Sequence, residues 1–422
     1  MSIFAGIFFF ALLVMAMPIA HSLFVATTLA MVVGHRPELL SQSILSLYEP
    51  TQSFPMIAIP FFILAGDIMM SGRFGEHLIA FARLIAGRLK GGLSQVSVLG
   101  SLLFGGVSGS AVADASALGN ALIPTQQKAG YPAGYPAAVN AASSTISVLI
   151  PPSIPLILFG LVTEASIPKL FLAGIIPGVM LAVFMFAICQ IIGTIHDLPR
   201  SPVEGGFRRF SRQFGKATPA LLMPIFIIVL ARGGIVTPTE ISVFAVVYAF
   251  LVGRFVYRDL TLPIFFRCIL STGIITGVIM LVIMSSSALQ WVLSSESVPE
   301  NLAKFILSTL KSPWLVILSM NLVMLVVGMF LDLPAAVLLL APIFVGLAAP
   351  LGMDIHQLGV MMVVNLAIGL YTPPVGTCLF ISIAIERVPM GTVVSQLLPF
   401  YLGAILVLIL VSYVPVITTW VR

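Results

Sequence analysis

Apolar residues run through this chain in long blocks, and the same device interrupts the blocks twice. Unbroken stretches at 165–193, 260–288 and 391–420 exceed the about 20 residues a helix needs to span a bilayer. Many shorter runs lie between them. Phe74 to Lys90 and Val298 to Lys311 differ, because charges alternate with apolar residues at near-helical spacing. That pattern predicts amphipathic helices lying along a membrane surface. The interruptions are Ile150-Pro151-Pro152-Ser153 and Thr372-Pro373-Pro374-Val375. Proline removes a backbone donor and clashes with the preceding helical turn. Each pair therefore predicts a helix broken inside a span.

The two breaks stand 222 positions apart, at Pro151 and Pro373, and other landmarks keep a similar offset. Gly106 matches Gly328 and Gly130 matches Gly352, while Pro18, Ser22 and Phe24 match Pro238, Ser242 and Phe244. The shared order predicts an internal repeat. Each half also carries two short apolar arms around a polar or glycine-rich tip. In the first half the tip is Gly105-Gly106-Val107-Ser108-Gly109-Ser110; in the second it lies near Asp332-Leu333-Pro334. Such a segment predicts a re-entrant hairpin, which a membrane tolerates only where protein or a wet cavity surrounds the tip.

Repeat one is expected over 1–193, with an arm helix at 74–90, a hairpin at 91–128 and a broken helix at 134–160. Repeat two is expected over 218–422, with an arm helix at 298–311, a hairpin at 313–350 and a broken helix at 358–385. A linker at 194–217 joins them. About ten spans and two hairpins result, with 3–17 and 219–232 short for full crossings.

Composition makes the membrane assignment firm. Of 422 residues 59% are hydrophobic and only 8% charged, with a mean hydropathy of +1.15. A soluble core of this size needs a charged surface. The linker carries Arg200, Arg208, Arg209, Arg212 and Lys216, which by the positive-inside rule makes it cytoplasmic. Counting spans outward from it gives the halves opposite orientation. The net charge of +5 reflects such loop residues rather than nucleic-acid binding. The apolar stretch Met1 to Met17 has no basic leader and is read as a retained helix, not a cleaved signal.

Helices broken at matching places in inverted halves mark transport sites. Freed carbonyls suit a small hard cation, and amides at a half-helix N-terminus suit a carboxylate. The first tip offers Ser108, Gly109, Ser110 and Asp114, and the first break Asn140, Ser143, Ser144, Thr145 and Ser147. The second tip offers Asp332, and the second break Asn365, Gly369, Thr372 and Gly376. Serine and threonine in membrane helices also bond back to their own backbone. Asp114 and Asp332, costly in a membrane and so functional by default, could instead cap hairpin helices. Enzyme chemistry is not expected. There is no H-E-x-x-H, no G-x-x-x-x-G-K-[ST], no G-x-S-x-G and no paired cysteine ligands.

The stretches Ser53 to Gly66, Gly105 to Gly119 (GGVSGSAVADASALG), Ala142 to Ser153 (ASSTISVLIPPS), Gly233 to Glu240 and Asn365 to Gly376 (NLAIGLYTPPVG) give the chain its family look. It resembles the large membrane subunit, the DctM-like permease, of tripartite ATP-independent periplasmic (TRAP) transporters. The resemblance implies an all-α, polytopic, elevator-type carrier with inverted-topology repeats in a bacterial inner membrane. It implies Na⁺-driven import of a small organic acid, delivered by a soluble periplasmic binding protein. It also implies a small four-helix membrane subunit, here expected as a separate chain.

By similarity, one Na⁺ would sit among Ser108, Ser110, Ser144 and Thr145, and another among Asp332, Thr372 and Gly376. The substrate carboxylate would lie between the hairpins, near Ser108, Ser110, Ser143, Ser144 and Asn365. Asp114 and the prolines Pro151, Pro152, Pro373 and Pro374 would support these sites. Many relatives have Gly-Pro where this chain has Ser147-Val148. A stand-alone divalent-anion:Na⁺ symporter is the rival reading, and an ion channel a more distant one.

Overall fold

The computed structural model describes residues 1–15, 17–34, 39–200, 207–234, 236–310 and 312–420. Among these residues the secondary structure is helical throughout. The first half runs α1 (Ser2–Val14), α2 (Ile19–Val33), α3 (Leu39–Tyr48), α4 (Ala58–Met70), α5 (Phe74–Ala86), α6 (Gly92–Ser108), α7 (Ala111–Lys128), α8 (Tyr135–Ser143), α9 (Ile154–Thr163) and α10 (Ile167–Ile195). The second runs α11 (Phe207–Gly233), α12 (Pro238–Leu251), α13 (Leu262–Ser295), α14 (Val298–Thr309), α15 (Pro313–Gly328), α16 (Leu333–Ala348), α17 (Ile355–Gly369), α18 (Thr377–Glu386), α19 (Met390–Tyr413) and α20 (Val416–Thr419).

Among the described residues six helical stretches are individually long and apolar enough to cross a membrane, and a seventh if the bent pair Phe54–Met70 and Phe74–Ala86, at 70°, counts as one. Other apolar stretches sit in helices too short to cross alone, among them α6, α9, α15, α17 and α18. Leu333–Leu351, read from the sequence as a hairpin arm, has the length to cross by itself. The protein is thus an all-α polytopic membrane protein.

Some boundaries differ from those the sequence suggests. The segment expected to be short at 219–232 belongs to a 27-residue helix, α11. Its basic first turns, Arg208 to Lys216, continue the helix beyond the apolar run, so hydropathy alone underestimates its length. Helix therefore covers part of the interval expected as linker, while 201–206 lies outside the described residues. The first arm helix stops at Ala86, leaving Lys90 in the turn that follows. The second stops at Thr309, and Lys311 lies outside the described residues.

Packing explains which helices are apolar all round. α4 lies along α12, and α13 crosses α2, α3, α4 and α16. The broken helices are the most enclosed part of the chain. Every residue from 134 to 160 is buried, and so is every residue from 357 to 371. A helix surrounded on all sides has no polar face to present. Around this centre the halves exchange arms. α7 packs on α8 and on α18 of the other half; α16 packs on α17 and on α9 of the other half.

Candidate functional site at the two helix breaks

Gly109 explains why the first hairpin turns where it does. It ends α6 at φ +58°, in the left-handed region that glycine tolerates. Ser110 follows in extended conformation and its Oγ accepts from Ala113 N–H, which opens α7. The tip docks directly on the first break. Ile154 N–H donates to Gly109 O at 3.4 Å, and a Cβ on Gly109 would overlap the Pro152 carbonyl. One turn earlier, Gly105 lies against the Ser147 backbone. Ser153 caps α9 by accepting from Leu156 N–H at 3.3 Å while its own hydroxyl donates to Val148 O.

The second break is built differently. The loop after α17 folds back so that the carbonyls of Leu370 and Thr372 converge on Gly376, each 3.0 Å from where a Cβ would stand. Leu370 O accepts from Cys378 N–H at 2.9 Å and so starts α18. Gly369 packs against the Gly328 backbone, bringing the end of α15 onto the break. Both double prolines contain a cis peptide bond between the prolines. Pro151 and Pro152 are buried, whereas Pro374 and Val375 are exposed. The hairpin tip covers the first break, whereas the second exposes Pro374 and Val375 at its loop.

Asp114 stands in the first turn of α7, where the helix dipole favours a negative charge. It is 0% exposed, and among the described residues no donor meets either carboxylate oxygen at hydrogen-bond geometry. Ser101 lies beside it. Asp332 occupies the N-cap position of α16 but makes no side-chain cap bond. Both carboxylates lie within electrostatic reach of Cys378, which adjoins Ser144 and Thr377. The structure therefore gathers Asp114, Asp332, Ser144 and Cys378 from both halves into one neighbourhood.

The hydroxyls of the first break mostly bond locally. Ser144 donates to Ala141 O at 2.9 Å, Thr145 to Ala142 O at 2.6 Å, and Ser147 to Ser144 O at 2.6 Å. Thr372 donates to Ile368 O at 2.7 Å. Each bond uses the hydroxyl proton and leaves oxygen lone pairs free. Ser143 is held inside the bundle by Ser97 and Ser101, at 3.3 and 3.2 Å. Asn365 donates to Asn321 O and Oδ1 at 3.0 and 2.8 Å, leaving its own Oδ1 buried and unpaired. Each pair ties a broken helix to the first arm of the hairpin in its own half. Ser108 and Ser110 are only partly buried, so they are the candidate substrate contacts that remain accessible.

Two features of the site were not anticipated. Ser116 and Asn120 are exposed on α7, and Asn120 Nδ2 donates to Ser116 O at 2.7 Å. Their spacing of four places both on one helix face, a signal readable in the sequence. Glu386, at the end of α18, accepts from Gly134 N–H and Ala137 N–H, both at 2.7 Å. It caps α8 from the opposite half of the chain. No local pattern signals a cap supplied from 249 positions away. Glu240, by contrast, is purely structural. It forms a capping box with Thr237 at the start of α12.

Residues 7–417 match the family described as tripartite ATP-independent periplasmic transporter, DctM component. An uncharacterised protein of Sinorhizobium fredii is 45% identical, with 100% of each chain covered. The C4-dicarboxylate TRAP transporter large permease protein DctM of Pseudomonas aeruginosa is 35% identical, covering 90% of this chain and 89% of its own. The sialic acid TRAP transporter large permease protein SiaM of Vibrio cholerae is also 35% identical, covering 87% and 86%. Among solved structures, the YdaH transporter of Alcanivorax borkumensis shares the fold. Its TM-score is 0.56 at 13% identity, with 90% of this chain and 88% of that one aligned.

Proposed function

Because the chain belongs to the DctM family of tripartite ATP-independent periplasmic transporters, we propose that it imports a small organic acid by coupling it to Na⁺. It is a transporter permease and not an enzyme. The observation that carries the coupling is Asp114, a buried carboxylate at a hairpin tip that no donor among the described residues meets at hydrogen-bond geometry. Such a group in a membrane interior stays ionised only beside a countercharge and otherwise holds a proton. A cation arriving with the substrate supplies that countercharge.

In this reading Na⁺ binds at each tip–break junction. The first site uses lone pairs of Ser108, Ser110, Ser144 and Thr145 near Asp114. The second uses Asp332, Thr372 and the carbonyls that converge on Gly376. Bound cations raise the local potential for a carboxylate between the hairpins, held by Ser108 and Ser110, with the Ser116–Asn120 face lining its approach. Ser143 and Asn365 act behind it, positioning the broken helices rather than meeting substrate. The halves have inverted topology, and the linker lies in the cytoplasm of a cell with an inner membrane.

The exchange of arms, α7 on α18 and α16 on α9, supports a mobile unit of hairpins and broken helices. That unit moves as a near-rigid elevator against a frame of α4, α12 and α13. The relatives named for dicarboxylates and for sialic acid are equally similar, so identity alone favours neither substrate. A small membrane subunit and a periplasmic binding protein complete the system.

Reconstitution with each component omitted in turn tests the assembly. Uptake into proteoliposomes is expected only when this chain, the small subunit and the binding protein are all present. Full uptake without the binding protein would instead identify a stand-alone symporter.

A further inference from the structure

Lys169 and Arg232 share one cleft between the start of α10 and the end of α11. The cleft holds about 440 Å³, and Trp420, Pro168, Leu172 and Val236 complete its wall. Both cations are exposed, and neither pairs with a carboxylate among the described residues. They lie at the outer ends of α10 and α11, the two helices whose other ends carry Arg200, Arg208 and Arg212. α10 has 29 residues, about 43 Å of rise, so the cleft and the basic linker occupy opposite membrane faces.

Two observations say that these charges are misplaced unless something answers them. Basic residues in membrane proteins gather on one face, and here they sit on the other. Lys169 also stands in the first turn of a long helix, where the dipole repels a cation, and no acidic residue shares that turn. Arg232, in the last turn of α11, suits its own helix dipole. Its presence in the same cleft nonetheless doubles the positive charge there.

The cleft wall names the kind of ligand. It combines two cations with aliphatic side chains and an indole, a side chain that favours the membrane–water boundary. We propose that this cleft binds the phosphodiester headgroup of an anionic phospholipid, in the leaflet opposite the basic linker. Arg232 and Lys169 hold the phosphate, Trp420 sits at headgroup depth, and Leu172 and Val236 receive the first methylenes of the chain. Arginine's planar fork suits two phosphate oxygens, and lysine adds a point charge. The site stands apart from the transport reaction and does not depend on which solute is carried.

Native mass spectrometry of the full chain in detergent tests this, with phosphatidylglycerol, phosphatidylcholine and inorganic phosphate as separate probes. Phosphatidylglycerol is expected to bind in preference to phosphatidylcholine. The double variant Lys169→Gln, Arg232→Gln is expected to weaken that binding roughly 30-fold, about fivefold per charge. Each single variant provides a second reading, and because both side chains are exposed, an unchanged thermal midpoint verifies folding. Inorganic phosphate that binds as tightly and in a variant-sensitive way would reassign the cleft to a free anion and overturn the lipid assignment. Equal binding of both lipids to wild type and variant would overturn the site altogether.

Discussion

Asn140 Nδ2 donates to Ser382 Oγ at 2.8 Å, a side-chain bond spanning 242 positions. The same nitrogen donates to Ala115 O at 2.9 Å. One amide group thus holds the first broken helix to its own hairpin and to the second broken helix. Glu386, one turn beyond Ser382, caps α8 from the same side. The bond joins the two halves at their broken helices. Asn140→Ala, Ser382→Ala and the double variant are expected to show a coupling averaging about 0.6 kcal/mol and at most roughly 1.7 kcal/mol. Unfolding in detergent measures it, and strictly additive losses would mean that the two side chains do not cooperate.

Gly109 is the narrowest point of the first junction. Alanine there faces a positive φ and a carbonyl already occupying the Cβ position. Gly109→Ala is expected to lower uptake more than tenfold while leaving expression in the membrane intact. Gly130, also at positive φ (+84°) but with nothing within 4 Å of a Cβ, is its control. Gly130→Ala is expected to cost about 1 kcal/mol of backbone strain and little transport. Equal damage from both would show that tip docking is irrelevant.

Asp114→Asn keeps the size of the side chain and removes its charge. Ligand binding raises thermal stability in proportion to how far the ligand exceeds its Kd. Wild type is expected to melt higher in Na⁺ than in choline, and the variant to lose part of that difference. A sodium-dependent shift that is identical in both proteins would remove Asp114 from the cation site.

Asp197 lies beyond the end of α10, outside the membrane, and pairs with Lys90 Nζ at 2.6 Å at the base of the first hairpin. That contact holds its carboxyl below the ordinary aspartate value. A depressed carboxyl stabilises the fold above its unfolded pKa and loses that contribution as pH falls through the folded one. Asp197→Asn is therefore expected to lower the thermal midpoint slightly at pH 7. The difference should vanish well below about pH 4 and shrink at high salt. A gap that widens in acid would contradict the pairing.

The sequence exposed the breaks and tips because proline and glycine act locally. Pro151, Pro373 and Gly109 bend the backbone wherever they stand, so their positions could be read without neighbours. The sequence was less informative about partners. Ser143 and Asn365 were expected near substrate, and their observed partners, Ser97 and Ser101 for one and Asn321 for the other, lie inside the bundle. Which polar residues face one another depends on how the helices cross, and hydropathy carries no record of that. Glu386 was invisible for the same reason, since its partners Gly134 and Ala137 lie in the other half. The length of α11 was underestimated because its basic turns are helical but not apolar.

The central claim is that a sodium gradient drives uptake through the two tip–break junctions. Its most direct test is accumulation of a radiolabelled carboxylate by proteoliposomes holding the whole assembly, under an imposed inward Na⁺ gradient. The account predicts accumulation above equilibrium that collapses on adding a sodium ionophore. Accumulation of the same size with choline replacing sodium would contradict it.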